Sequence, residues 1–421
     1  MDNVNVKAAK GAEGSKDRFG ELPHEILRHV ISFLPGVDTL RTCLIDTRWL
    51  GLLRSATSLD FSFGYGDGAF PTTERFIQLV KMVIQLRGTH SPLEKCEINM
   101  SYSEFGIDTE PLVEYALTCQ VKELVVNAFH FEQVECGIPE FDLPSISHHL
   151  KILHLTYLMV GAFLDFSGCP VLEDLKMERC CIDASKISSQ SLRRLSIARY
   201  CSDDRYDDHV RIEIHAPRLI SLTLDDFDGP LPIVEHMPLL QTAFIRVNYY
   251  HCGVTMHGQR CGRFLCDCHA YHGQGDLLLN NFSSAENLEL IGEPQMFMFG
   301  WDLEWCPMFG KLKTLLLGQW LIPIDIVCIL RRSPILEMLT LQFGDFYTEN
   351  FEGATEAQET TEQPIACPHL KVNIECRKVD KRVCKILNTL STCGILPEQI
   401  SIKNHGSPFY CSFSFEKRQD E

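Results

Sequence analysis

The stretch "CPVLEDLKM", residues 169–177, decides the fold. Leu172, Leu175 and Met177 follow the pattern L-x-x-L-x-L, whose last three positions alternate between the two faces of a β-strand. The proline just before the motif fits a tight turn into that strand. One such strand carries only two or three apolar side chains on its inner face, so it needs neighbours of the same kind to bury them.

The same motif recurs along most of the chain. In eight of the ten steps, successive copies begin 20 to 29 residues apart, which is the spacing of leucine-rich repeats. We therefore predict an irregular leucine-rich-repeat solenoid over residues 58–343, with a concave, strand-lined face as its largest binding surface. The Asn or Cys usual at the ninth repeat position is mostly absent, and Cys180 is the clearest match. The copies begin at Leu93, Val121, Leu150, Leu172, Leu192, Leu219, Leu240, Ala285, Leu312 and Leu336, with a half-copy at Leu370.

Two longer steps contain insertions. Residues 344–364 are rich in Glu and Thr and lack Lys and Arg, a composition that predicts a disordered acidic loop. Residues 248–276 are rich in Cys and His, which are zinc donors, but structural zinc sites use C-x₂₋₄-C pairs. The closest pair here is Cys266 and Cys268, so we predict no metal site. A zinc-dependent nucleic-acid binder is kept as a remote alternative.

Composition excludes several other classes of protein. The formal net charge of −17 over 421 residues repels nucleic acid and anionic membranes, so neither is an expected partner. Residues 1–17 lack the apolar core of a signal peptide, and no run of 18 apolar residues predicts a membrane span. The 19 cysteines are therefore expected to be reduced thiols, mostly buried. We expect an intracellular protein, in the nucleus and/or the cytoplasm.

The two ends of the chain differ from the repeats. Residues 1–17 and 404–421 are polar tails, and residues 365–403 combine a half-copy of the motif, an amphipathic helix and a closing strand "EQISIK". That helix segment clusters basic side chains, which form either a solvated face or a contact with an acidic partner or the chain's own acidic loop. The basic residues are Arg377, Lys378, Lys381, Arg382 and Lys385.

Residues 18–57 are predicted to form three short helices. The apolar residues of "ELPHEILRHVISFLP", residues 21–35, lie on one face of a helix. A second helix is predicted in "VDTLRTCLI", and Asp46 is suited to cap a third one. A unit of about 40 residues rarely sustains its own core. Its apolar surface must therefore face either a partner or the end of the repeats.

The order and spacing of these residues resemble an F-box, as found in plant F-box proteins with leucine-rich repeats and an FBD-like C-terminal region. "SLDF", "CPVLEDL", "SPILEML" and "CPHLKVNIECRKVDKRVCKIL" resemble later segments of that family. One departure is Ile45-Asp46-Thr47, where the family usually has Leu-Ser-basic. The resemblance implies an α/β protein, a small N-terminal three-helix F-box followed by the solenoid, with residues 365–403 as the FBD-like region.

The resemblance also implies a function. The F-box would bind a Skp-type adaptor and through it a cullin, and the solenoid would hold a substrate protein whose binding residues are unknown. The chain would then be a non-catalytic subunit of a ubiquitin ligase, without a cofactor; a non-degradative interaction protein is the alternative. The implied adaptor-binding residues are Leu22, Pro23, Ile26, Leu27, Ile31, Phe33, Leu34, Cys43, Arg48 and Trp49.

No catalytic motif competes with this interpretation. The chain contains no nucleophile elbow or comparable arrangement. The loop "FGYGDGAF" has glycines at positions 64, 66 and 68, and this spacing departs from the G-x-G-x-x-G of dinucleotide loops.

Overall fold

The computed structural model describes residues 22–33, 38, 42, 47–63, 73–89, 91–101, 110–129, 140–141, 146–161, 164–199, 212–227, 232–247, 278–292, 306–318, 323–344 and 369–404. The predictions for the two tails, the glycine loop after residue 63, the Cys/His-rich insertion and the acidic insertion fall outside these residues. They stay predictions.

Helices and strands follow each other along the chain. The helices are α1 (His24–Ser32), α2 (Thr47–Arg54), α3 (Thr73–Arg87), α4 (Glu110–Thr118), α5 (Leu278–Asn281), α6 (Pro323–Arg332) and α7 (Lys381–Thr392), with a 3₁₀ turn at Pro397–Gln399. The strands are β1 (Ser58–Phe63), β2 (Lys95–Ser101), β3 (Glu123–Phe129), β4 (Glu140–Phe141), β5 (Ile152–Thr156), β6 (Met159–Val160), β7 (Leu164–Asp165), β8 (Asp174–Glu178), β9 (Cys181–Ile182), β10 (Lys186–Ser188), β11 (Arg194–Ala198), β12 (Glu213–His215), β13 (Ser221–Phe227), β14 (Ile233–Val234), β15 (Thr242–Val247), β16 (Asn287–Gly292), β17 (Thr314–Gly318), β18 (Met338–Gln342), β19 (Lys371–Cys376) and β20 (Ile400–Asn404).

The dominant feature is a 13-stranded sheet whose strands lie in chain order, β1-β2-β3-β5-β8-β11-β13-β15-β16-β17-β18-β19-β20. Every neighbouring pair is parallel, as in the pairing of β8 with β11. The motif copies from Leu93 to Leu336 each become a strand that begins two residues after the motif starts. The α/β prediction is therefore confirmed, with much sheet and few helices.

The repeated apolar positions stack into one core. In β8, Leu175 and Met177 are fully buried while the residues between them are more exposed. Leu175 lies in register with Leu195 of β11 and with Leu153 of β5, both also buried. Because each strand adds its leucine to the same row, the core is continuous along the repeats although no single repeat could form it.

Two small parallel sheets close the other side of this core. One has the order β14-β12-β10-β7 and the other β4-β6-β9. Ile187 of β10 and Ile214 of β12 are fully buried in the same hydrophobic cluster as the motif leucines. The sequence did not reveal these strands, because two or three residues are too short to show a period. Helices α4 and α6 were also not identified from sequence. None of the helices in the described part of the chain has the length and apolarity needed to cross a lipid bilayer.

The chain leaves several strands through a residue in the left-handed conformation. Tyr157, Arg179 and Arg199 directly follow β5, β8 and β11 and have φ values of 57°, 53° and 50°. Each of their amide groups donates to a carbonyl of the next strand, at 2.7 to 3.0 Å. These hydrogen bonds offset the cost of positive φ in a residue with a side chain. The thiol of Cys180 follows Arg179 and contacts the carbonyl of Leu155 at 3.5 Å.

Candidate functional site

The N-terminal helices pack on a small cluster of their own. Leu27 of α1 contacts a cluster that contains Trp49, Leu52 and Ala56, and all four are buried. The carbonyl of Pro23 accepts hydrogen bonds from the amides of Ile26 and Leu27, both at 3.1 Å, which starts α1. The exposed fractions of Leu27 and Trp49 are 5% and 8%. These two side chains therefore hold the helices together.

A different side of α1, together with the residues that flank the helix, exposes apolar side chains. Leu22, Ile26 and Phe33 have exposed fractions of 37%, 48% and 72%. The ring of His29 meets the Phe33 ring edge-on, with ring centres 4.6 Å apart. Residues 26, 29 and 33 are three and four apart, so they share one helix face. We call Leu22, Ile26, His29 and Phe33 the exposed α1 face.

The implied adaptor-binding residues thus fall into separate groups. Leu22, Pro23, Ile26 and Phe33 lie at the surface, whereas Leu27 and Trp49 lie inside. Leu34 and Cys43 lie outside the described residues, and the side chains of Ile31 and Arg48 are not described either. The motif alone could not separate the inner from the outer set, because both are apolar and conform to the same pattern.

A buried arginine joins these helices to the repeats. Arg87 ends α3 and is 2% exposed. Its Nη2 donates to the carbonyls of Ala56, at 2.9 Å, and Ser91, at 2.8 Å. Its Nη1 donates to the Tyr115 hydroxyl at 3.2 Å. Arg87 therefore connects the end of the helical unit, the start of β2 and helix α4, a role that sequence reasoning missed because lone arginines are usually exposed.

Burial around Arg87 also shifts the titration of its neighbours. Desolvation raises the pKa of Tyr115 to about 12, although the hydrogen bond from Arg87 opposes that shift. Desolvation likewise raises the pKa of the fully buried Cys96 thiol, and Cys119 adds to the effect. Both groups stay neutral at physiological pH. They are therefore structural and not reactive.

The outer face of the large sheet carries rows of charge. Alternate strand residues that do not enter the core pair with neighbours across the sheet. Arg194 Nε lies 2.7 Å from Asp174 Oδ2, and Arg246 Nη1 lies 3.0 Å from Asp225 Oδ1. This face, the concave face in the repeat prediction, therefore carries side chains of both signs of charge.

One carboxylate on this face is buried. Glu289 of β16 is 3% exposed, and within the described part of the chain neither of its carboxylate oxygens has a hydrogen-bond partner. It lies in register between Phe244 of β15 and Leu316 of β17. Desolvation raises its pKa to about 7, with Arg246 opposing the shift. The group is thus half-protonated near neutral pH.

The buried Glu289 predicts a pH-dependent stability. Because its pKa is higher in the folded than in the unfolded chain, its favourable contribution is complete below pH 4.5 and is lost as the pH rises through 7. At pH 8 the free energy of unfolding of Glu289→Gln is therefore expected to exceed that of the parent by about 2–3 kcal/mol. At pH 4.5 the two free energies should match. Urea unfolding at both pH values measures this. The matched change Glu114→Gln, at an exposed position of α4 without an ion pair among the described residues, should leave the pH profile unchanged. Equal profiles for both variants would contradict the prediction.

The cysteines and possible metal ligands give no second site in the described residues. There, no group of three His, Cys, Asp or Glu side chains is arranged to hold a metal. The cysteines in this part of the chain are thiols outside disulfide bonds, and most of them are buried. The Cys/His-rich insertion lies outside it, so the absence of a metal site there stays a prediction.

Comparison with known proteins places the chain among plant relatives. No family model matches it. An F-box/FBD/LRR-repeat protein of Arabidopsis thaliana is 23% identical over 407 residues, covering 88% of this chain and 87% of the relative. A second, named as an FBD-associated F-box protein, is 29% identical and covers 50% of this chain and 51% of the relative. An F-box/LRR-repeat protein of the same plant is 22% identical and covers 68% and 57%.

These relatives confirm the resemblance to plant F-box proteins with leucine-rich repeats and an FBD region. In two of the three, the matched part spans only about half of the relative's length, 51% and 57%. The activity and partners of the whole protein are therefore matters of proposal.

Proposed function

We propose that this chain, similar over most of its length to a plant F-box/FBD/LRR-repeat protein, is the non-catalytic substrate-recognition subunit of a Skp–cullin–F-box ubiquitin ligase. The exposed α1 face carries the proposal. An apolar row beside a small cluster, in which the structure describes four buried residues, leaves surface that a partner can bury. The similarity to F-box proteins identifies a Skp-type adaptor as that partner.

The proposal includes a division of the chain. Residues 18–57 would be the F-box, residues 58–343 the leucine-rich-repeat solenoid, and residues 365–403 the FBD-like region. The parallel order of the large sheet and the regular motif spacing support the solenoid assignment. The described helices α1 and α2 support the F-box assignment. Between them, Asp38 and Thr42 are helical, and the Thr42 hydroxyl donates to the Asp38 carbonyl at 2.6 Å.

In this role the chain performs no chemistry itself. The adaptor and cullin would bring the ubiquitin-transfer machinery, and the outer face of the sheet would hold the substrate close to it. Tethering raises the effective concentration of the substrate, which accelerates transfer without a catalytic residue in this subunit. The role also places the chain in the nucleus, the cytoplasm or both.

The first test changes the exposed α1 face. Ile26→Asp in the 421-residue chain is expected to weaken binding of a purified plant Skp-type adaptor by about tenfold or more, because a charge replaces a buried apolar contact. Ile146→Asp is the matched control, since Ile146 is 69% exposed and lies among the repeats. Calorimetric titration measures the affinity of both variants for the adaptor. Unchanged affinity of the Ile26 variant, with unchanged circular dichroism, would refute the assignment.

The second test separates degradation from simple binding. Assemblies reconstituted with adaptor and cullin are expected to retain this chain and to lose it when Leu22 and Pro23 are both changed to Ala. Capture of the adaptor without the cullin would favour the alternative, a non-degradative repeat protein that sequesters its partners.

A further inference from the structure

A basic cleft lies at the C-terminal end of the repeats. It has a volume of about 780 Å³ and is formed where Phe343 and Gly344, just after β18, face the segment from Cys376 to Asn388. The basic side chains noted in the sequence line it: Arg377, Lys378, Lys381, Arg382 and Lys385. One carboxylate, Asp380, is also part of the lining.

One side of the cleft is rigidly built. Asp380 caps α7 and accepts hydrogen bonds from the amides of Arg382, at 2.9 Å, and Val383, at 3.0 Å. Arg382 Nε donates back to Asp380 at 2.9 Å, and its Nη2 donates to the Gly344 carbonyl at 3.1 Å. Burial alone would raise the pKa of Asp380, but these hydrogen bonds lower it. Asp380 therefore stays ionised and is already paired with Arg382.

Among the described residues, the ammonium groups of three lysines around the cleft have no partner. Lys378, Lys381 and Lys385 are exposed, and within the described part of the chain no hydrogen bond or ion pair holds their ammonium groups. Lys381 and Lys385 are four residues apart on α7, which places them on one helix face. Val383 and Ile386 pack into the core and fix that face toward solvent. Like charges on one helix face repel each other, so an anion bound between them would be stabilising.

The lining also has an apolar part. The Phe343 ring lies beneath the Arg382 guanidinium, 6.0 Å from ring centre to carbon, and the Phe343 amide donates to the Glu375 carbonyl at 2.9 Å. Val379 is 49% exposed at the rim. A small inorganic anion would leave this surface uncovered. A peptide that alternates acidic and apolar side chains matches both parts.

We propose that this cleft binds a short acidic peptide segment of a partner protein, with Lys378, Lys381 and Lys385 holding its carboxylates. The overall charge of −17 does not prevent this, because charges beyond about 8 Å are largely screened at physiological salt. A long polyanion such as nucleic acid would extend past the cleft over a protein whose overall charge is negative, whereas a short peptide would not. The site lies apart from the exposed α1 face and does not depend on adaptor binding.

The test uses a fluorescent 12-residue peptide of alternating Glu and Leu with the whole chain. We expect micromolar binding at physiological salt, weakened at least tenfold when Lys378, Lys381 and Lys385 are all changed to Glu. The matched control changes Lys81, Lys151 and Lys311 to Glu. These lysines are exposed and lie outside the cleft, and the net charge changes equally. An equal loss in both variants would show a general charge effect and overturn the proposal.

Two further experiments test whether the cleft binds something other than an acidic peptide of a partner. Inorganic phosphate or a 12-nucleotide single strand that binds as well as the peptide would overturn the assignment to an acidic peptide. Residues 345–364 are themselves acidic. Peptide binding that arises only after their deletion would assign the cleft to this segment of the chain and overturn the proposal, whereas binding to the intact chain supports it.

Discussion

Leu339→Ala is expected to lower the free energy of unfolding by about 2–5 kcal/mol. Leu339 is fully buried in β18 and lies in register between Leu315 of β17 and Val372 of β19, which are also buried. Removing its side chain leaves a cavity that the neighbouring strands cannot fill, because their own positions are fixed by the ladder on each side. Urea unfolding followed by circular dichroism measures the loss.

The adjacent Met338→Ala is the control for this prediction. Met338 occupies the same strand but is 40% exposed on the outer face, so its truncation should change stability by about 0.5 kcal/mol or less. Since repeat proteins transmit stability between neighbours, hydrogen exchange should also accelerate in β17 and β19 of the Leu339 variant. Equal losses in the two variants would contradict the assignment of inner and outer faces.

Arg87→Met is expected to cost about 3 kcal/mol and to loosen the N-terminal helices. The change removes charge-assisted hydrogen bonds to the Ala56 and Ser91 carbonyls, each worth about 1.5–3 kcal/mol, and leaves those buried acceptors unpaired. Part of the loss is offset, because Arg87 Nε has no hydrogen-bond partner among the described residues and its burial is itself costly. Limited proteolysis should then cut near residue 57 faster than in the parent.

Arg54→Met supplies the comparison. Arg54 also bridges the helical unit and α3, since its Nε donates to the Leu86 carbonyl at 3.1 Å, but this hydrogen bond is exposed. Its loss should cost less than about 1 kcal/mol, because water replaces the missing donor. If Arg54→Met were as destabilising as Arg87→Met, burial would not be the reason for the role of Arg87.

The candidate adaptor site shows how far the sequence leads. The F-box-like motif predicts the candidate segment at residues 18–57, and the pattern around Ile26 and Leu27 predicted a helix where the structure has α1. It did not tell which of them faces outward. Leu27 is buried because Trp49 and Leu52 of α2 cover it, and the position of α2 depends on contacts with α3 that no local pattern encodes. Arg87 was missed for the same reason.

The sequence by itself determined the order and spacing of the strands in the large sheet. Each L-x-x-L-x-L copy places its apolar side chains on one face with a period of two, and that local geometry holds wherever the copy occurs. The sequence also marked the basic cluster at residues 377–385. Tertiary structure decided what surrounds these elements. It buried Glu289 and covered the core with strands too short to show a period. It also placed Phe343 opposite the basic segment, which forms the cleft. These outcomes depend on residues brought together from distant positions, because burial and solvation are properties of the assembled neighbours and not of the segment itself.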